Sequence, residues 1–361
     1  MPHFVIGIEI GGTKLQLALG QGVAATFQGF WRGQVSATAG AAAIRTRLRQ
    51  AIPELLQQSH VSRDEVAGIG IAFGGPVDSQ RGITLISHQV DGWQDFPIVE
   101  WVRSEWGWAA TLQNDADSAA LAESRYGSGR GFDPCLYLTV GSGIGGGLVI
   151  GGRIFRGSGA GALEIGHLRP GQLPLHLPLG GETVEAIASG FGITERARRA
   201  IQNDDASRAD RHSQFASPIP QATGVDPEFP ARRESGRRRS ALLLELAGGD
   251  VDRLSTALVA QAAAAGDPLS RHLLADATQA IGWAIAQAIT LINPARIVVG
   301  GGVSLMGEEL FFAPVRRACD QFVFPPFRGI ADIVPAQLGE EVVVHGAVAV
   351  AAAEFLEASA T

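Results

Sequence analysis

Three short glycine runs could bind phosphate, because each follows a predicted strand. The first, Gly11-Gly12-Thr13-Lys14, combines bare backbone with a hydroxyl and a cation. Consecutive amides in such a turn can cradle phosphate oxygens, since glycine lets the backbone approach closely. The run is not a Walker A loop, which requires G-x-x-x-x-G-K-[ST]. A plain hairpin turn is the competing interpretation.

The second run, from Gly141 to Gly147, has five glycines in seven residues between predicted strands. A hairpin needs only two turn residues. The excess of glycine therefore predicts a surface shaped to a ligand, with Ser142 as a candidate phosphate contact.

The third run, Gly300-Gly301-Gly302, follows a strand and precedes Ser304 and a predicted helix. A Rossmann cofactor grip is disfavoured, because Gly7-Ile8-Glu9 leads into a hairpin and not directly into a helix. Three separated glycine loops predict a nucleotide gripped from several sides.

Asn114-Asp115 lies where a predicted strand meets a predicted helix. A carboxylate there can reach into a cleft and act as a general base for a hydroxyl. An ordinary helix N-cap is the alternative, since Asn and Asp favour that position.

Two further polar clusters lie in apolar, glycine-rich surroundings: Glu164-Ile165-Gly166-His167 and Glu185. Each could be a satisfied structural group. Together with Asp115 they offer several hydrogen-bonding groups suited to a polyol.

The elements that must position these residues form a repeat. A strand, glycine turn and strand occur at 5–19 and again at 136–150, the second time with the return strand at 148–150, which suggests a duplicated α/β architecture. The remaining predicted strands are 66–73, 109–113 and 296–299, and the predicted helices are 41–57, 118–126, 257–265, 269–292 and 346–357.

Composition excludes several classes of protein. The 29 basic and 36 acidic residues give a net charge of −7, so general nucleic-acid affinity is not expected. Two cysteines, Cys135 and Cys319, exclude a disulfide framework. The N-terminus lacks signal-peptide features, and the apolar stretch 277–295 carries polar residues typical of a buried helix. We expect a soluble, cytoplasmic protein that does not associate with membranes.

Residues 202–240 change in character, with four prolines among Arg, Asp and Ser and few apolar residues. This composition predicts a mobile insertion. Its arginine runs at 232–233 and 237–239 could contact an anionic partner, but nearby Asp and Glu favour a solvated surface loop.

In order and type, the motifs resemble those of the ROK family of repressors, open reading frames and sugar kinases. The match covers nearly the whole chain outside the insertion. It consists of Gly7–Lys14, Gly74-Gly75-Pro76-Val77-Asp78, Asn114-Asp115-Ala116, Gly141–Gly147, Glu164–His167, Glu185–Gly190 and Asn293–Gly302.

The resemblance implies an α/β, actin-like (ribonuclease H-like) ATPase fold with two α/β domains around a nucleotide and sugar cleft. The N-terminal domain would comprise 1–117 plus about 345–361, and the C-terminal domain 118–344. The family is usually dimeric, so a homodimer is expected.

The resemblance also implies roles for the motif residues. Asp115 would take the sugar hydroxyl proton, and Asn114, Glu164, His167 and Glu185 would bind other hydroxyls. ATP and Mg²⁺ would be required, with Glu9 able to organise the Mg²⁺ through water. The ATP-binding residues would be Gly11, Gly12, Thr13, Lys14, Gly141, Ser142, Gly143, Gly145, Gly300, Gly301 and Gly302.

The sequence departs from the family pattern at the zinc site that many members carry. The three cysteine positions of that site hold His176, Pro178 and Thr183 here. His167 and His176 alone do not make a closed tetrahedral site, so no structural zinc is expected. Two other departures are Glu9, where most members have Asp, and Gly74, where Pro is usual.

The family resemblance makes an ATP-dependent hexose kinase the leading hypothesis, with glucose converted to glucose 6-phosphate. Phosphorylation of fructose, mannose or an N-acetylhexosamine is the first alternative. A non-catalytic, sugar-responsive regulator is the second. It is disfavoured because the first glycine motif begins at residue 7, which leaves no room for a preceding helix-turn-helix domain, and because Asp115 is present.

Overall fold

The computed structural model describes residues 3–12, 14–22, 25–87, 89–158, 161–171, 182–214 and 241–357. Within these ranges, side chains are not described at residue 37 or at 204–214.

The first sheet has five strands in the order β3-β2-β1-β4-β7. β1, β2 and β3 are antiparallel neighbours, whereas β4 and β7 continue the sheet in parallel with β1. A separate small hairpin is formed by β5 and β6. The strands are β1 Phe4–Ile10, β2 Lys14–Gly20, β3 Gly29–Gln34, β4 Val66–Phe73, β5 Val77–Asp78, β6 Ile83–Thr84 and β7 Ala109–Asn114.

The second sheet repeats this plan in the order β10-β9-β8-β11-β12. Its first three strands are antiparallel neighbours, and β11 and β12 run parallel to β8. The two sheets therefore share one topology, as the sequence repeat suggested. The strands are β8 Cys135–Val140, β9 Ile144–Ile150, β10 Arg153–Ile154, β11 Arg296–Gly300 and β12 Asp332–Pro335.

Helices cover both sheets and fill the space between them. The described helices are α1 Gly40–Ser59, α2 Ile98–Trp106, α3 Asp115–Tyr126, α4 Val184–Ala188, α5 Gly190–Gln214, α6 Ala241–Leu246, α7 Thr256–Ala264, α8 Pro268–Ile292, α9 Ala313–Phe322 and α10 Val342–Ala352. α1 and α2 share a core with the first sheet, and α5 to α9 share a core with the second.

α3 and α10 pack against each other between the sheets, with α3 on β8 and β9 and α10 on β1 and β4. The close packing of α10 on α3 and on β4 requires glycine at the contact points. A Cβ at Gly346 would overlap the carbonyl oxygen of Ser118, and one at Gly70 would overlap that of Ala347. The predicted domain boundaries at 117/118 and about 344/345 fall within this helix pair and remain predictions.

The apolar stretch 277–295 lies mostly in α8, as predicted, and most of its apolar residues are buried in the second core. Among the described residues, none of the helices combines the length and the apolar character needed to cross a membrane.

Two sequence predictions need correction. β9 begins at Ile144 and not at Leu148, so only Gly141–Gly143 form the turn. The first part of the predicted insertion, up to Gln214, continues α5. No Gly or Pro interrupts the helix between residues 202 and 214, and extending an existing helix is easier than starting one. The rest of the insertion, 215–240, lies outside the described residues. The prediction also missed several elements: β3, β5, β6, β10, β12, α2, α4, α5 and α9.

Candidate active site

The first glycine turn carries an ion pair at the end of β1. Lys14 Nζ lies 3.0 Å from Glu9 Oε1 and donates to the carbonyl oxygen of Glu340 at 2.9 Å. This lysine therefore joins the first hairpin to the segment just before α10. Thr13, predicted to contact phosphate, lies outside the described residues.

Glu9 is almost fully buried, and burial raises the pKa of its carboxyl to about 7 despite Lys14. With its amide turned so that both ends are paired, Gln16 donates to Glu9 Oε2 at 2.8 Å and accepts from Arg32 at 2.7 Å. The Glu9 carboxylate is therefore paired with two side chains of the first sheet, Lys14 and Gln16.

Asn114 ends β7 and caps α3. Its Oδ1 accepts from the backbone N–H groups of Ala116 (2.8 Å) and Asp117 (3.3 Å). Its Nδ2 donates to the carbonyl oxygen of Gly75 at 3.0 Å. The capping alternative thus holds for Asn114, which leaves Asp115 as the first residue of the helix.

Asp115 is half-buried, and its Oδ1 accepts from the N–H of Ala116 at 2.8 Å. A Cβ on Gly74 would lie 3.5 Å from Asp115 Oδ2 and 3.6 Å from the Cα of Gly11. Desolvation raises the pKa of Asp115 to about 6, with a smaller contribution from Glu164. The structure thus brings a basic carboxylate beside the first glycine turn.

Asp117 lies two residues after Asp115 on the same helix, and the sequence analysis gave it no role. It is 5% exposed, and its Oδ1 has no hydrogen-bond partner in the part of the chain that the structure describes. Burial raises its pKa to about 7, against the opposing charge of Arg156. Its proximity to Asp115 was the only available sequence signal.

Glu164 and His167 are exposed at the two ends of one 3₁₀ turn, with His167 N–H donating to the carbonyl oxygen of Glu164 at 3.0 Å. A Cβ on Gly166 would overlap the carbonyl oxygen of Ile144, so the turn packs directly on β9. The N–H of Val184 donates to the carbonyl oxygen of Leu168 at 2.9 Å. This bond places the start of α4 beside the turn.

Glu185 on α4 is half-buried, and its Oε2 accepts from the N–H of Ile144 at 2.7 Å. A Cβ on Gly143 would lie 2.6 Å from the same oxygen. Glu185 therefore contacts the second glycine turn directly, a contact that sequence analysis did not foresee.

The second and third glycine runs meet. Gly301 has φ +89°, and a Cβ there would lie 2.5 Å from the carbonyl oxygen of Val140, the residue before Gly141. The N–H of Val303 also donates to that oxygen at 2.9 Å. Gly145, predicted to bind ATP, lies in β9, where a Cβ would be 3.1 Å from that of Ala116.

A cavity of about 1290 Å³ connects these loops. Lys14, Gly141, Ser142 and Gly302 line one part of it. Phe191 at the start of α5 and Leu305 line another part, and they are 68% and 84% exposed. Two large apolar side chains facing solvent within a cavity indicate a surface for an apolar ligand face.

No cluster of three or more His, Cys, Asp or Glu side chains suited to a metal ion occurs among the residues that the structure covers. His176 and Pro178, which replace two zinc-binding cysteines, lie outside the described residues. The absence of zinc therefore remains a prediction.

Comparison with known proteins places these features in context. A family model described as "ROK family" matches residues 5–354. A glucokinase from Halalkalibacterium halodurans is 28% identical over 348 residues, covering 95% of this chain and 93% of that protein. A putative fructokinase from Bacillus subtilis matches at 30% identity, covering 53% of this chain and 62% of that protein. A putative xylose repressor from Caldicellulosiruptor sp. matches at 23% identity, covering 98% of this chain and 79% of that protein.

Solved structures match as well. A ROK hexokinase from Thermus thermophilus has a TM-score of 0.71 and 27% identity, covering 99% of this chain and 100% of that chain. A ROK family glucokinase from Streptomyces griseus, in complex with glucose and AMPPNP, has a TM-score of 0.68 and 27% identity, covering 96% and 98%. The predicted actin-like ATPase fold is confirmed.

Proposed function

Because the chain belongs to the ROK family, we propose that it is an ATP-dependent hexose kinase whose preferred reaction converts glucose to glucose 6-phosphate. The observation that carries the proposal is the placement of Asp115. Its carboxylate lies beside the first glycine turn, whose Lys14 lines the cavity shared by the other two glycine loops.

Asp115 acts as the general base. A pKa of about 6 leaves it ionised at neutral pH, yet makes it more basic than an ordinary aspartate. The N–H of Ala116 fixes Oδ1, and Oδ2 lies on the Gly74 side. The carboxylate accepts the proton of the sugar hydroxyl as that oxygen attacks the γ-phosphorus and ADP departs.

Lys14 and the turn Gly141–Gly143 hold the phosphates, because a cation and bare backbone offset developing negative charge. Mg²⁺ enters with ATP as part of the substrate and neutralises phosphate charge. Glu9 is a single buried carboxylate already paired with Lys14, so it suits a water of the Mg²⁺ shell better than the ion itself.

The adenine base occupies the apolar part of the 1290 Å³ cavity. Phe191 and Leu305 would lose much of their exposure by covering its faces.

The sugar binds on the side of Asp115 opposite to the nucleotide. Glu164 and His167 present polar groups from one turn, and the second oxygen of Glu185 remains for a hydroxyl while Oε2 holds Ile144. The second amide proton of Asn114 is available for the same purpose.

Fructose, mannose and N-acetylhexosamines are the alternative acceptors, since pocket details decide among sugars on one fold. A non-catalytic regulator is the alternative from another class, and a putative xylose repressor is among the similar proteins. As part of the proposal, the enzyme is a cytoplasmic homodimer, and size-exclusion chromatography with light scattering tests its oligomeric state.

The deciding experiment measures ADP release from MgATP with glucose, fructose, mannose and N-acetylhexosamines in parallel, with Asp115→Asn as the control. Turnover on glucose that the variant loses supports the proposal. Turnover on another sugar alone would move the assignment to that acceptor. Folded, ATP-binding protein that turns over none of them would favour the regulator.

A further inference from the structure

A second cavity, of about 560 Å³, lies behind α3 and away from the nucleotide loops. Its walls come from the last turns of α3, from the β9–β10 turn and from the end of the C-terminal helix. Asp115 begins α3 and Arg125 lies ten residues later, so the two residues are about 15 Å apart along the helix axis at 1.5 Å per residue. The cavity is therefore separate from the proposed phosphoryl-transfer site.

Three arginines line this cavity: Arg125, Arg153 and Arg156. The side chain of Arg153 is exposed and makes no ion pair or hydrogen bond with the residues that the structure describes. Arg156 is also exposed, and its Nε donates to Gln113 Oε1 at 3.2 Å, which leaves its two terminal nitrogens for another acceptor. Such a concentration of guanidinium groups is notable in a chain of net charge −7.

Two carboxylates on the rim partly offset this charge. Glu357 pairs with Arg125 at 3.3 Å, but its side chain is 59% exposed, so the pair contributes little stability. Glu354 is exposed on the same rim. Asp117 also faces the charge of Arg156, but it is buried and does not line the cavity. The three lining arginines outnumber the two lining carboxylates, so the lining has a net positive charge.

We propose that this cavity binds a phosphate dianion, either free or as the phosphoryl group of a small monoester, through Arg125, Arg153 and Arg156. Guanidinium groups form bidentate, charge-assisted hydrogen bonds with phosphate oxygens, and three of them match a group with three terminal oxygens. The ligand displaces Glu357 as the partner of Arg125. The turn residues Gly151 and Gly152 have no described atom within 4 Å of a would-be Cβ, so they leave the entrance open.

Arg156 connects the proposed site to α3, the helix that Asp115 begins. Gln113, its hydrogen-bond partner, is 2% exposed and immediately precedes the Asn114 cap. A ligand that draws Arg156 toward the cavity would alter that contact.

Isothermal titration calorimetry on the full chain tests the proposal, with glucose and a non-hydrolysable ATP analogue present at saturation to occupy the active site. Inorganic phosphate and glucose 6-phosphate are the two probes. Equal affinities would identify free phosphate as the ligand, and tighter binding of the ester would identify a phosphorylated metabolite; both results support the site.

Three variants should differ in their affinity for the probes. Arg153→Gln should weaken binding about tenfold or more, the effect of losing one charge-assisted hydrogen bond. Glu357→Gln should tighten binding, because the competing carboxylate is gone. Arg103→Gln, a 71% exposed arginine on α2, is the matched control and should bind as the wild type does. No binding of either probe, or equal affinities in Arg153→Gln and the wild type, would overturn the proposal.

Discussion

A hydrogen bond between Glu185 and Ile144 connects the proposed sugar site to the proposed phosphate-binding loop. The 2.7 Å bond from the N–H of Ile144 to Glu185 Oε2 joins α4, which belongs to the proposed sugar site, to the residue that follows the glycine turn Gly141–Gly143. One side chain thus contacts the predicted phosphate loop while belonging to the predicted sugar-binding set.

This relationship predicts different outcomes for two substitutions of Glu185. Glu185→Gln keeps an oxygen that accepts from Ile144, so it should raise KM for the sugar with little change in KM for ATP. Glu185→Ala leaves the N–H unpaired and should also raise KM for ATP, by roughly 5- to 30-fold for about 1–2 kcal/mol. Steady-state kinetics with each substrate varied measures both. Equal effects of the two variants on KM for ATP would contradict the coupling.

Asp115→Asn should lower kcat by about 10²- to 10⁴-fold, the usual contribution of a general base. The hydrogen bond from Ala116 to the side chain is kept, so ATP affinity should change little. In the wild type, kcat/KM should fall below pH about 6, because protonation removes the base at its raised pKa. An acid limb near pH 4, the range of an ordinary aspartate, would count against this role.

Local signals in the sequence were sufficient for the glycine hairpin and for the start of α3, because turns and caps are decided by neighbouring residues. Tertiary contacts decided the rest. Gly147 was assigned to a ligand loop, but a Cβ there would lie 2.7 Å from the carbonyl oxygen of Ala116. The lack of a side chain at this position of β9 therefore allows α3 to pack closely against the strand. The exposure of Phe191 and the lack of a described hydrogen-bond partner for Asp117 Oδ1 could not be predicted, since only the fold shows what surrounds each side chain.

Asp117 predicts a pH dependence of stability. Its pKa is raised from 3.8 to about 7, so its stabilising contribution is present below pH 3.8 and is lost as pH rises through about 7. Asp117→Asn should remove this loss and raise the free energy of unfolding at pH 7.5 by roughly 1–3 kcal/mol relative to the wild type. Urea unfolding at pH 5.0 and 7.5 measures it, with a smaller gain expected at pH 5.0. An equal effect at both pH values would exclude titration of Asp117 as the cause.

His345 predicts the opposite slope. Its ring stacks on Phe27 at 4.1 Å, and burial lowers its pKa from 6.5 to about 4. The neutral ring is favoured in the folded state, so its contribution is present above pH 6.5 and is lost as pH falls from 6.5 toward 4. His345→Gln should reduce the fall in stability between pH 7.5 and 5.0 by about 1–2 kcal/mol. An unchanged slope would show that other groups control acid stability.

Leu305 and Leu291 provide a matched pair for the nucleotide cavity. Both leucines are 84% exposed, but only Leu305 lines the 1290 Å³ cavity, whereas Leu291 lies near the end of α8. If Leu305 covers the adenine base, Leu305→Ala should raise KM for ATP about 5- to 10-fold, since burial of its side chain contributes about 1–1.5 kcal/mol. KM for glucose should stay unchanged, and Leu291→Ala should leave both constants at the wild-type values. Because the two side chains match in type and exposure, a general effect on solubility or folding would appear in both variants. An effect confined to Leu305→Ala therefore reports contact with the nucleotide, and identical kinetics in the two variants would remove Leu305 from the adenine site.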